Sequence, residues 1–202
     1  MSGDGDDSDG GANVATGAGA DGVERGPGPR VGEDHWHSAY GIWVCDRFID
    51  PLSDLHGDAL GIHTHDDGLI HMHPTSQRAA GSNATLGVFA QEVGVEFSES
   101  GFSLPSGTCG AGEDCDGTEG VVQVLEWRPD APPDDAVVHR DGFGSVPLDS
   151  NRAGYTIAFM RPDTPIEDLY PPSMRNLEPS SDVPAGVPGV EPPVVELPAP
   201  PQ

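Results

Sequence analysis

Lysine is absent from the 202-residue chain: the nine basic residues are all arginine, set against 34 acidic ones, and the formal charge is −25. A surface this acidic repels phosphate backbones and anionic lipid headgroups, which argues against nucleic-acid binding and electrostatic membrane adsorption. It suits the attraction of cations, and equally plain solubility at high salt. Hydrophobic residues make up only 35% of the chain, and 28 glycines and 21 prolines interrupt it. No stretch reaches the ~18 apolar residues of a membrane span. The N-terminus lacks the basic start and apolar core of a secretory signal. Taken literally, these absences predict a soluble chain without an export signal.

Cysteine is sparse too. Cys45, Cys109 and Cys115 form no C-x-x-C and no zinc-knuckle spacing, and an odd number leaves at least one unpaired within a monomer. Cys109 and Cys115 bracket "GAGED", a loop a disulfide would close, while Cys45, in an apolar run, is able to pair with either. The redox compartment stays open on this count. The chain also has no G-x-S-x-G, no H-E-x-x-H and no P-loop. A formal G-x-G-x-x-G at Gly17, Gly19 and Gly22 lies where neither strand nor helix is expected, so it does not mark a dinucleotide site. "GEDCDGTEG" (112–120) has fragments of a calcium loop without its spacing and reads as an acidic loop.

Residues 1–33 are rich in Gly, Ala and Asp and contain no aromatic residue. Such a segment cannot bury enough surface to offset its ordering entropy, so disorder is expected. Residues 175–202 form a Pro-rich tail. From Leu177 onward no basic residue accompanies the prolines, which favours a spacer over an SH3-type ligand. Between them, 34–174 reads as one folded domain.

Within it "AYGIWVC" (39–45) is aromatic and β-branched, as a buried strand is. "VEF" (95–97), "VVQVLEW" (121–127) and "GYTIAFM" (154–160) read as further strands. "SNATLGVFAQEVG" (82–94) predicts the main helix: Ser82 or Asn83 caps it, Leu86, Phe89 and Val93 recur at helical spacing, and Gly94 stops it. Gly-, Pro- and Asp-rich loops are expected at 105–120 and 129–150. Glu126, inside "VLEW", is expected on the solvent face of its strand. The pattern is α+β: a small antiparallel or mixed sheet with one main helix, of a β-grasp-like kind.

What the chain does have is histidine in one place. "GIHTHDDGLIHMHP" (61–74) holds His63, His65, His71 and His73, half of the eight in the sequence. A two-residue turn at Asp67-Gly68 would mix histidine with apolar residues on both faces of a hairpin. A three-residue turn, Asp66-Asp67-Gly68, of type I with Gly68 left-handed, pairs His63 with His71 and His65 with Leu69. It puts all four histidines on one face and Ile62, Thr64, Ile70 and Met72 on the other. A one-residue slip would expose every apolar group, so the segregated register is the one predicted.

Alternate residues on a strand lie roughly 6.8 Å apart and opposed ones ~4.5–5.5 Å, so imidazoles on such a face can converge on one ion. "DHWHSAYG" adds His35 and His37, another H-x-H, with Trp36 pointing the other way. Six candidate metal ligands follow: His63, His65, His71 and His73, with His35 and His37 as a second or completing pair. Asp34, Asp66 and Asp67 are candidate outer partners of these histidines or oxygen ligands in their own right. His-only ligation suits zinc or copper, with nickel possible, and argues against calcium and magnesium. His56 and His139 look isolated and read as ordinary polar residues. A histidine cluster that only hydrogen-bonds a neighbouring loop or senses pH is the competing reading.

The combination of "DHWHSAYGIWVCDRFIDPLSD", the double H-x-H hairpin and "NATLGVFAQEVGV" resembles a group of uncharacterised actinobacterial proteins over about residues 34–172. The group carries an HWH…YG…C segment, a GIHTHGDG-type hairpin and an ATLG-x-F helix. Its domain commonly follows a basic segment and one transmembrane helix. The resemblance therefore implies an extracytoplasmic setting and a disulfide between Cys45 and the Cys109 region. This chain departs in its acidic, Gly-rich start and lack of an anchor: either its start lies upstream, or it is a soluble member. The resemblance brings no activity. Multicopper oxidases share H-x-H pairs, but no cysteine here adjoins a histidine. Cupins follow theirs with a glutamate, where this chain has Asp66 and Asp67 in a turn.

Three readings result. The chain is a zinc- or copper-binding module, or a small metal-dependent enzyme with three histidines and an open position, or a structural domain with a pH-sensitive histidine face.

Overall fold

A computed structural model of the chain describes residues 26–110 and 112–177. Most of the two segments expected to be disordered, 1–25 and 178–202, lies outside the described residues. Their inner ends are packed. The Gly81 amide donates to the Pro29 carbonyl at 2.8 Å and the Gly32 amide to Pro74 at 3.1 Å. Leu177 is buried in a small cluster with Ala39 and Leu69.

In chain order the described strands are β1 (Trp36–Cys45), β2 (Arg47–Phe48), β3 (Ile62–His63), β4 (Leu69–Met72), β5 (Glu96–Phe97) and β6 (Gly101–Leu104). Then come β7 (Gly107–Gly110), β8 (Asp114–Cys115), β9 (Thr118–Glu119), β10 (Val121–Trp127), β11 (Val137–His139) and β12 (Gly154–Met160). The α-helix among the described residues is α1 (Leu86–Glu92). The main sheet runs β11-β10-β12-β1-β4-β3, with β2 folded back on β1. β1 and β12 are parallel and the other ladders are antiparallel, so the architecture is α+β with a mixed sheet. A β-grasp likeness is not established by it, since α1 has only seven residues and two small sheets, β5-β6-β7 and β8-β9, stand beside the main one.

β1 and β12 are central and covered on both faces, which is why their sequences are nearly continuously apolar. One face carries Tyr40, Ile42, Ile62, Ile70, Met72, Val124, Tyr155 and Ile157, packed against Leu86, Phe89 and Val93 of the α1 region. The other carries Leu125, Trp127, Ala158 and Met160 against Leu169, and further along Ala39 and Leu69 against Leu177.

The helix is shorter than its periodicity suggests. Residues 84 and 85 are held extended by a neighbouring segment: Thr85 bridges Pro147, the Leu86 amide donates to Val146 and the Leu148 amide to Ala84. The N-cap is therefore Thr85 rather than Ser82 or Asn83, and Asn83 spends its side-chain amide on the Gln77 carbonyl at 2.8 Å. Gly94, at φ +71°, ends the helix as expected. The loop expected at 105–120 contains β7, β8 and β9, and the one at 129–150 contains β11.

A disulfide joins Cys45 to Cys115, whose Cα atoms are 5.1 Å apart, and Cys109 is free and buried. The partner of Cys45 is thus Cys115, and "GAGED" is not closed by a bridge. Cys109 stands opposite Phe102 in the β6–β7 ladder and packs into the core instead.

Glu126 is not on a solvent face. It is fully buried, because β11 pairs alongside β10 and brings His139 to it, Nε2 to Oε2 3.0 Å. Arg128 Nε lies 3.4 Å from Glu126 Oε1 on the other side. His139 is therefore no isolated polar residue but the partner of a buried carboxylate.

Candidate metal centre

The histidines occupy the β3–β4 edge of the main sheet. The ladders align His37 with His71 and His71 with His63, so one row of imidazoles crosses β1, β4 and β3. Ile62 opposite Met72 confirms the segregated hairpin register, with both side chains buried on the far face together with Thr64 and Ile70. Trp36 also points that way and packs on the core.

The turn itself differs from expectation. Ladder pairing stops at His63 and His71, and Asp66 (φ +60°) as well as Gly68 (φ +76°) is left-handed, so the turn is not a type I turn closed by glycine alone. Neighbouring contacts hold it open. The Asp67 carboxylate accepts from the Leu69 amide at 2.9 Å, and the Gly68 carbonyl accepts from the Tyr40 amide at 2.8 Å.

Five of the rings close a circuit. Ring centroids are separated by 4.8 Å for His35–His37, 4.6 Å for His37–His71, 5.5 Å for His71–His63, 4.8 Å for His63–His73 and 5.2 Å for His73–His35. His65 is exposed and leans on the circuit at His63 (4.8 Å) and His71 (4.6 Å). His73 is placed by Gly61. The His73 amide donates to the Gly61 carbonyl at 2.8 Å, and a Cβ on Gly61, at φ +79°, would overlap the His73 carbonyl.

Two groups of donor atoms within this cluster could hold a metal ion: His35, His37 and His71; and Asp58, His63 and His73. In each, the donor atoms lie within 4.8 Å of one another. The structure thus brings all the predicted histidines together but divides five of them between two groups, and His65 belongs to neither.

Of the carboxylates considered from sequence, one touches a histidine. Asp67 Oδ2 is 3.0 Å from His71 Nε2. Asp34 is taken up by Arg30, whose backbone amide, Nε and Nη2 all donate to it. Asp66 is exposed. Asp58, which sequence reasoning passed over, contributes more than any of them: Oδ1 is 2.8 Å from His63 Nδ1 and Oδ2 3.7 Å from His73 Nε2. It sits in an irregular loop, five residues before His63, where no strand or helix period ties it to the histidines.

Burial pushes the His71 imidazole down to about 4, with the nearby His37 and His65 rings adding to the fall and Asp67 opposing it. At neutral pH His71 is uncharged. Its contact with an acceptor-only carboxylate then puts the ring proton on Nε2 and leaves Nδ1 as a bare lone pair. Carboxylate–histidine pairs of this kind orient metal ligands. Burial likewise lowers His63, helped by His73 and His65 and opposed by Asp58. Burial works to raise the Asp67 carboxyl, but the Leu69 amide and His71 outweigh it and hold it below the usual range. Neutral imidazoles are what a transition metal requires.

Beside the cluster, Val31, Gly32, Asp34, His35, His73, Pro74 and Thr75 line an open groove of about 420 Å³. Among the described residues no helix is long and apolar enough to cross a membrane. Fold and site together define an α+β protein with histidine-rich groups that could hold metal. No protein family matches the chain, and neither does any curated protein or solved structure.

Proposed function

We propose that the chain is a transition-metal-binding module, holding zinc or copper through the histidines of its β3–β4 edge and the adjoining start of β1. The observation that carries this reading is the closed circuit of five imidazoles, three on paired ladder residues and two, His35 and His73, directly at strand ends. Charged rings this close repel one another, whereas unprotonated ones offer converging lone pairs, so bound cations make the arrangement favourable. The donor chemistry is imidazole-dominated, which suits zinc and copper and not calcium or magnesium.

The test is elemental analysis of tag-free protein purified without chelator, repeated after loading with zinc or copper. Metal should be retained through desalting and lost when His63 and His71 are both changed to Gln, a double change that removes one donor from each group. Retention of no metal under any loading would overturn the reading.

An enzymatic version is favoured by one feature: each group has three protein donors, as open catalytic zinc sites do, and the groove at His35 and His73 gives access. Hydrolysis of activated esters by the zinc-loaded protein, absent from the double variant, would support it. An oxidising, extracytoplasmic setting belongs to the same proposal. The Cys45–Cys115 bridge spans 70 residues of sequence, and such bridges persist outside the reducing cytosol.

A further inference from the structure

We infer that the edge holds two ions rather than one, and that Asp58, His63 and His73 form the second site, separate from the one made by His35, His37 and His71. The inference rests on the metal-binding reading and divides it. Sequence pattern groups the four hairpin histidines, because they share a strand face. The geometry groups them otherwise, giving His71 to the β1 pair and joining His63 and His73 to a carboxylate from the loop before β3.

The contact between Asp58 and His63 carries the argument. Oδ1 and Nδ1 are both buried and 2.8 Å apart, so the carboxylate and the ring nitrogen are held against each other out of solvent. The His63 side chain is only 5% exposed, so the ring's place beside the carboxylate is set by the protein rather than by water. With the ring proton on Nε2, toward His65, Nδ1 and Oδ1 are two lone-pair donors turned to the same space, and a cation between them makes that arrangement favourable. The far side of His63 is already fixed, with Nε2 3.1 Å from His65 Nε2. This is the arrangement in which a ligating imidazole is oriented by its other nitrogen, and it gives His65 a positioning role rather than a ligand's.

The two sites differ in charge. The Asp58 group offers two imidazoles and a carboxylate, the other group three imidazoles and no carboxylate, so the Asp58 site is the one that partly neutralises a divalent ion. Both leave coordination positions unfilled by protein. Asp58 itself is left-handed, at φ +57°, a conformation that Asn and Gly also adopt readily, so the donor can be removed without forcing the loop.

Zinc stoichiometry decides the matter. The intact chain, loaded with zinc and desalted, should retain two ions, Asp58→Asn one, His35→Gln one, and the double variant none. Asp58→Gly should repeat the result of Asp58→Asn, and the chelator-treated variants should melt within a few degrees of the parent, which separates loss of a ligand from loss of fold. One zinc in the intact chain, or two that survive both Asp58 changes, would overturn the second site while leaving a metal-binding protein. No zinc in the intact chain would overturn the metal-binding reading itself.

Discussion

The two edges of the main sheet each bury ionisable side chains, and they do so in opposite ways. At the β10–β11 edge, Glu126 is flanked by His139 and Arg128. Arg128 also reaches Asp149 and the Ser150 hydroxyl, each at 2.8 Å. Acids there face bases, and the cluster answers its own charge. At the β3–β4 edge, imidazole faces imidazole around a circuit, with Asp58 and Asp67 the acids that touch it. A cluster whose charges are paired within the chain specifies structure, whereas one built mostly of like donors could also take a cation.

That contrast can be broken most forcefully at Arg128. Arg128→Ala leaves Glu126 and Asp149 buried without their cation, which should cost about 3–5 kcal/mol. Denaturant titration of the chelated protein should show that loss, while zinc retention by whatever remains folded stays at the parental level. An equal stability loss on changing His35 to Gln would blur the distinction between the edges.

Acid should act on the histidine edge next most strongly. His71 titrates at about 4 in the folded chain against an ordinary value of 6.5. Between those values the unfolded chain binds a proton that the folded one refuses, so stability falls as pH drops from 6.5 toward 4. The fall should total roughly 3 kcal/mol and level off below pH 4. The depressed His63 adds in the same direction. Denaturant midpoints of the metal-free protein across this range check the slope, which His71→Gln should flatten.

A smaller effect is expected from Asp67→Asn. It weakens the acceptor that sets the His71 tautomer, and should lower zinc affinity by about 10–100-fold without removing an ion. A competition titration against a chromophoric chelator would read it. Smallest of all is His56→Ala. His56 is exposed, with its backbone amide on Asp54, and the change should alter stability by less than about 0.5 kcal/mol and zinc content not at all.

The histidine edge was the more legible of the two in the sequence, because register is a local property: a one-residue slip of the hairpin would expose Ile62, Ile70 and Met72. The strands at 121–127 and 154–160 were legible for a similar reason, as apolar runs with turn signals at their ends. What could not be read depends on contacts between distant segments. Thr85 starts the helix because Pro147 pairs with it, and Glu126 is buried because a strand ten residues further on lies against β10. Asp58 reaches His63 from an irregular loop, and irregular loops carry no period. The pattern gathers six histidines on one surface; the division of five of them into two groups is not in it, since that depends on which side of the circuit each ring faces.

Crystals of the zinc-loaded chain, measured on either side of the zinc absorption edge, test the central claim most directly. The account predicts anomalous density at the β3–β4 edge, against His35, His37 and His71 and against Asp58, His63 and His73, with none at Glu126 and His139. Density at the Glu126 cluster, or a histidine edge that stays empty at saturating zinc, would contradict it.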